Sequence, residues 1–198
     1  MAEADARTDE KLMHACVAGD LAAFETLLER YERRILSYAY RILGDYETAR
    51  DIYQQTFLNI FEKRAQYRET ARFSTYAYCV AHNLCQNEVR RRRHRRTASL
   101  ERPSAGDEDA SLSQWLVDDS GEPAEPISRD EEDRLLKRAI DDLDPVYREV
   151  IALRIFEGLP FKEIAAVSGT NESTIKSRMR YALAYLDRAL RGKLGRAD

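Results

Sequence analysis

The chain has 198 residues, 34% of them charged and 43% hydrophobic, with a net charge of −3. Eight glycines and five prolines punctuate it too sparsely for a many-stranded β fold, and no apolar run approaches the roughly 20 residues needed to span a bilayer. The polar start MAEADARTDEK has no apolar signal core, so an all-α cytoplasmic protein is expected.

Residues 8 to about 44 place Phe24, Leu27, Leu28, Tyr31, Ile35, Tyr38, Ala39 and Ile42 at spacings of three and four. That pattern predicts one amphipathic helix, ended by Gly44-Asp45. A second helix is expected from about Glu47 to Lys63, with Ala49, Ile52, Tyr53, Thr56, Phe57, Ile60 and Phe61 on its inner side. A connection near Gln66 to Ala71 leads to a third helix, which starts near Phe73 and runs into the arginine-rich segment RRRRHRR. Cys16, Cys79 and Cys85 are odd in number and lack CxxC spacing, so thiols are expected. His82 and Cys85 stand at helical spacing with no second pair nearby, which favours packing over a metal site; no metal and no cofactor are expected.

The segment from Ala65 to Arg96 mixes aromatics and cations. Tyr67, Phe73, Tyr76 and Tyr78 interleave with Arg68, Arg72 and Asn83, and six arginines then fall within seven residues. Stacking platforms beside cations suit single-stranded nucleic acid, where each stacked base contributes roughly 1–3 kcal/mol. Extracting one base costs a few kcal/mol, so a small domain can hold one or two flipped bases. A longer melt needs a larger partner.

Residues 97–127 hold three of the five prolines, two glycines and much of the acid run, and read as a flexible acidic linker around the single tryptophan, Trp115. A second unit begins at Ser128, where Ser128 and Glu131 are spaced as a capping box. Leu135, Leu136, Ala139, Ile140 and Leu143 form its first inner stripe, and Asp144-Pro145 restarts a helix. The expected domains are therefore 1–96 and 128–198.

The stretch FKEIAAVSGTNESTIKSRMRYALAYL, from Phe161 to Leu186, reads as helix, turn and helix. Ala165 permits a close crossing, Gly169 supplies a positive φ, and Ile175 and Met179 return to the core. Asn171 or Ser173 can cap the second helix. Ser173, Thr174, Lys176, Ser177, Arg180 and Tyr181 are left outside, with Arg178 at the edge. Such a face fits a major groove, where a good bidentate contact discriminates by about 1–3 kcal/mol. A plain helical hairpin with a solvated basic face is the competing reading. No carboxylate, His or Cys constellation supports an enzyme.

GDLAAFETLLERY, RILGDYETARDIYQQTFLNIF and RFSTYAYCVAHN followed by VRRRRHRR resemble the second domain of bacterial sigma factors. IDDLDPVYREVIALRIFEGLPFKEIAAVSGTNESTIKSRMRYALAYL resembles their fourth domain. The match is to the minimal extracytoplasmic-function (ECF) type of the sigma-70 family, which has these two domains and a linker. The resemblance implies a non-enzymatic subunit that binds core RNA polymerase, directs it to promoters and nucleates strand opening. It implies that Asp51, Gln54 and Gln55 dock on the polymerase clamp. Around the minus-ten element it implies base capture by the loop Gln66 to Arg72. Tyr67, Arg68, Arg72, Phe73 and Tyr76 thus fall to single-stranded DNA, and Asn83, Arg90 and Arg91 to the adjacent duplex. At the minus-thirty-five element it implies reading by Lys176, Ser177, Arg180 and Tyr181, beside Ser173, Thr174 and Arg178. Tyr76 stands where the family commonly has tryptophan. Many members are held inactive by a membrane-bound anti-sigma factor, a partner the resemblance raises here.

Overall fold

The computed structural model describes residues 6–98 and 126–194, with side chains described over 6–95 and 134–191. Residues 99–125 of the predicted linker, Trp115 among them, lie outside the described residues, whereas its ends, 97–98 and 126–127, belong to the flanking helices. The second unit's first helix begins at Pro126, two residues before the expected cap at Ser128, and the side chains of Ser128 and Glu131 lie outside the described ones. All regular structure among the described residues is helical. The first unit consists of α1 (Asp9–Val17), α2 (Leu21–Leu43), α3 (Tyr46–Glu62), a 3₁₀ turn (Arg64–Gln66) and α4 (Phe73–Ala98). The second consists of α5 (Pro126–Asp141), α6 (Pro145–Ile151), a π turn (Ala152–Phe156) that prolongs α6, α7 (Phe161–Val167) and α8 (Glu172–Leu194).

The expected single helix over residues 8–44 is two helices. Gly19 takes φ 101°, and Asp20 then accepts from the Ala23 amide at 3.1 Å, capping a fresh start. The side chain of Asp9 pins α1 onto α2, accepting from Arg30 Nη1 at 2.6 Å and Tyr31 Oη at 2.5 Å. Asp45 caps α3 by accepting from the Thr48 amide at 2.7 Å. In the second unit Asp144 accepts from the Val146 amide at 3.1 Å, with Pro145 at the first helical position.

Leu27, Tyr31, Ile35, Tyr38 and Ala39 of α2 form the spine of the first core. Ala49, Ile52, Phe57 and Ile60 of α3 close over it, together with Phe73, Ala77, Tyr78, Ala81 and Cys85 of α4. Val150, Leu153, Ile164, Ile175, Met179 and Ala182 pack the second unit. The two units meet directly: α7 lies on α4, and α6 on α2.

Candidate nucleic-acid interface

The loop from Tyr67 to Arg72 is shaped from below by rings. Tyr67 is buried, edge-on to His14 at 5.7 Å between centroids and 5.5 Å from Tyr76. Phe73 is wholly buried, edge-on to Tyr31 at 5.3 Å, and Tyr78 is wholly buried against Tyr38 at 5.4 Å. The expectation of exposed stacking platforms is therefore corrected for Tyr67, Phe73 and Tyr78, which are core rings. Their spacing along α4 and the loop places them inward, against α1 and α2. Tyr76 is half-buried, while Arg68, Arg72 and Asn83 are exposed. Arg68 donates to the carbonyls of Tyr67 at 2.9 Å and Ala65 at 3.4 Å, which tightens the turn.

Two residues of α1 brace this loop, and sequence reasoning missed both. Glu10 Oε1 accepts from the Phe73 amide at 2.9 Å, satisfying one of the free donors at the start of α4. His14 Nε2 lies 2.9 Å from Glu69 Oε2, an acceptor-only group when ionised, so the ring nitrogen donates. The Tyr67 hydroxyl is buried without a hydrogen-bond partner. Its pKa is pushed up to about 12, by burial first and then by Glu10 and Glu69.

The arginine run on α4 divides its labour. Arg92 turns back into the protein, donating to the Leu43 carbonyl and to Thr48 Oγ1, both at 2.8 Å, and to Glu88 at 3.0 Å. Arg91, itself exposed, lies 2.7 Å from the buried Glu88. Arg90, Arg93 and Arg95 are also exposed. Burial alone would raise the Glu88 carboxyl, but hydrogen bonds from Arg92 and Arg91 pull it below its ordinary range.

On α3 the exposed face carries Asp51, Gln54 and Gln55. Leu58, one helical repeat beyond Asp51, is 49% exposed on the same face. An apolar residue outside the inner stripe of Ala49, Ile52, Thr56 and Ile60 was the available signal for it.

The helix-turn-helix forms as expected. Gly169 takes φ 59°, the Thr170 amide donates to the Ala165 carbonyl at 3.0 Å, and Asn171 Oδ1 accepts from the Thr174 amide at 2.8 Å. Ser173 Oγ donates to the same Asn171 oxygen at 2.6 Å. Ser173, Lys176, Ser177, Arg180 and Tyr181 are exposed along α8, with Thr174 and Arg178 half-buried. Lys176 Nζ is 2.6 Å from Glu172 Oε1. The Tyr181 ring stacks on Tyr147 of α6 at 4.4 Å, which fixes its orientation beside the basic face.

Residues 27–95 match the family described as Sigma-70 region 2, and residues 133–186 match Sigma-70, region 4. The chain is 29% identical over 194 residues to the RNA polymerase sigma-H factor of Pseudomonas aeruginosa, covering 96% of this chain and 97% of that one. It is 27% identical over 173 residues to the ECF RNA polymerase sigma factor SigW of Bacillus subtilis, covering 87% and 91%. In fold it resembles CnrH, solved in complex with the cytosolic domain of CnrY, with a TM-score of 0.66, 20% identity and coverage of 96% and 99%. It also resembles RpoE of Bartonella quintana, solved in complex with the anti-sigma factor NepR, with a TM-score of 0.62, 21% identity and coverage of 84% and 94%. Two family segments in the right order, an exposed arginine helix and an outward-facing recognition helix agree: the chain belongs to the ECF group of the sigma-70 family, as a non-enzymatic promoter-specificity subunit of RNA polymerase.

Proposed function

We propose that the chain divides promoter recognition between its two units, acting in the cytoplasm. The exposed face of α3, with Asp51, Gln54, Gln55 and Leu58, docks on core RNA polymerase. Arg68, Arg72 and Tyr76 line the exposed side of the loop that receives a base from the minus-ten element. Tyr67 and Phe73 support that loop from beneath. Asn83, Arg90 and Arg91 follow the adjoining duplex through its phosphates. Ser173, Thr174, Lys176, Ser177, Arg178, Arg180 and Tyr181 enter the major groove at the minus-thirty-five element, with charged side chains supplying most of the affinity and salt dependence.

The observation that carries this reading is the outward polar face of α8, held at a fixed crossing by Gly169 and Asn171. Among the described residues no helix is long and apolar enough to cross a membrane. The test is reconstituted transcription with core polymerase on a library of promoter templates. Start sites dependent on this chain, sharing an upstream and a downstream motif, are expected; no start site on any template overturns the reading.

A further inference from the structure

The recognition helix α8 exposes a large ring among its cations. Tyr181 is 55% exposed, next to Arg180 and one turn beyond Ser177 on the outward face. Its neighbours Met179, Ala182 and Leu186 are turned into the core, whereas this ring is not. Nor does it lie loose. It stacks on Tyr147 of α6, with 4.4 Å between centroids and 27° between planes. Tyr147 is half-buried and packs against the core, one turn before the buried Val150 and Ile151.

The stack covers one face of the Tyr181 ring and leaves more than half of the residue open. Stacked aromatic pairs attract beyond their area burial, and a tyrosine has only two side-chain torsions to fix. The ring is therefore held in a set pose before any ligand arrives, which lowers the ordering cost of binding. Tyr147 supplies that brace from α6, outside the helix-turn-helix formed by α7 and α8.

What such a ring can read follows from the chemistry of the groove. Lys176, Ser177 and Arg180 supply charge and hydrogen bonds, which suit phosphates and the polar base edges. A ring supplies apolar surface. Of the groups that the four bases present in the major groove, only the thymine C5-methyl is apolar. Tyr181 stands nine positions after Glu172, the first residue of α8, which is roughly 13 Å along the helix axis. Recognition helices meet base edges chiefly through their N-terminal residues, so this ring falls toward one end of the element rather than its centre.

We propose that Tyr147 is a positioning residue that holds the Tyr181 ring for contact with a thymine methyl, and that the pair makes this chain select thymine at an outer base pair of the minus-thirty-five element. This rests on the promoter-recognition reading above. Tyr181 is the group that touches DNA, and Tyr147 acts through it. Without the Tyr147 ring, Tyr181 remains on α8 but unbraced, so its ordering cost falls at the moment of binding and the preference for the methyl shrinks.

The experiment uses the full chain with core polymerase. Promoter duplexes bound from a library randomised at the upstream element are sequenced. Each selected thymine is then replaced singly by deoxyuridine, which removes the methyl and keeps the base pairing. The readout is the ratio of affinities for the thymine and deoxyuridine duplexes, taken within each protein, so a loss of folded fraction cancels. Wild type is expected to lose about fourfold at one outer position, the worth of one buried methyl-sized group. Tyr181→Ala should show no difference there, and Tyr147→Ala about twofold or less. Tyr147→Phe, which keeps the stack, and Tyr181→Phe, which keeps the ring, should both retain the wild-type ratio. An element selected without thymine at an outer pair overturns the proposal, as does a full ratio in Tyr147→Ala, which would make the stack a packing contact alone. No methyl effect in wild type, with Tyr181→Phe weakened on every duplex, assigns the hydroxyl to a phosphate and overturns it too. Selection of no upstream motif would sink the promoter-recognition reading itself, whereas a motif without a methyl effect sinks this proposal alone.

Discussion

Tyr38 on α2 and Glu149 on α6 are 111 residues apart in sequence and joined by a 3.0 Å hydrogen bond with both side chains buried. Burial, and secondarily the neighbouring Glu149 carboxylate, hold the Tyr38 hydroxyl protonated well above the ordinary tyrosine range, so it remains a donor at neutral pH. Tyr38→Phe removes that donor while His82 stays in contact with Glu149. The expected cost is about 1–3 kcal/mol, which for a chain of this size lowers the Tm by several degrees. Calorimetry on the full chain checks it. An unchanged Tm would mean that the two units do not meet at this point in solution.

Gly169→Ala probes the turn between α7 and α8. A Cβ at this glycine meets nothing within 4 Å, so the cost is conformational alone: its φ is +59°. Forcing an L side chain into that region costs roughly 1–2 kcal/mol. Asn171→Ala removes the cap on the Thr174 amide, a further cost of about 0.5–2 kcal/mol. Both variants should weaken minus-thirty-five duplex binding more than they disturb thiol reactivity at Cys16 in the other unit. Full-strength duplex binding by the double variant would show that the turn does not set the pose of α8.

The capped starts at Asp45 and Asp144, the turn at Gly169 and the inner stripes of α2 and α3 are legible because each is written in local spacing and backbone preference. The break at Gly19 is signalled by the glycine and the capping Asp20, but it sits beside the regular apolar stripe from Phe24 onward, and the stripe masks it. The inward rings fail for a different reason. Tyr67, Phe73 and Tyr78 look like stacking platforms by residue type beside cations, whereas their orientation is set by α1 and α2, which the chain delivers from more than thirty residues away. Glu149, Glu157 and Glu163 look in sequence like solvated positions on short helices. Their partners His82, Arg34 and Thr75 lie 67 to 123 residues distant, and no local pattern encodes such a pairing.

The α3 face yields a test that separates docking from folding. Leu58 is half-exposed, so Leu58→Ala loses little core packing, and surface substitutions generally stay within about 0.5 kcal/mol. Affinity for core polymerase should nonetheless fall by about tenfold, as expected for an apolar anchor ringed by Asp51, Gln54 and Gln55. Asp51→Ala combined with Gln54→Ala should act in the same direction. Normal association of all three substitutions with core enzyme would move the docking surface elsewhere.

Lys176 Nζ pairs with Glu172 at 2.6 Å, so a DNA phosphate at this helix would compete with that carboxylate. Lys176→Ala and Arg180→Ala should each weaken duplex binding and make its salt dependence shallower, by about 0.9 in log–log slope for each phosphate that is no longer neutralised. Glu172→Gln should have the opposite effect on affinity, because it removes a competing carboxylate from the protein–DNA surface. Titration of a minus-thirty-five duplex at several salt concentrations reads all three. Unaltered slopes for both cation variants would remove Lys176 and Arg180 from the phosphate-binding set.

Alkaline pH should unfold this protein earlier than its acidic groups alone would suggest. Burial first, then the charge of Glu149, raises the Cys85 thiol from an ordinary 9.0 to about 12. Burial likewise raises the hydroxyls of Tyr67, Tyr31 and Tyr78 and the thiols of Cys79 and Cys16. Above pH 9 the unfolded chain releases these protons while the folded chain retains them, so the folded state binds more protons and stability falls as pH rises. The stabilisation is complete below the unfolded pKa values and is lost between pH 9 and 12 for Cys85. Each such group contributes a slope of about 1.4 kcal/mol per pH unit within its window. Urea denaturation should therefore give a flat free energy from about pH 7 to 8 and a steep decline beyond about 9. Cys85→Ser would reduce that decline by one thiol's share. A stability profile level through about pH 10.5 would show that Cys85 and the tyrosines are not held from solvent as the core and the contact between the two units place them.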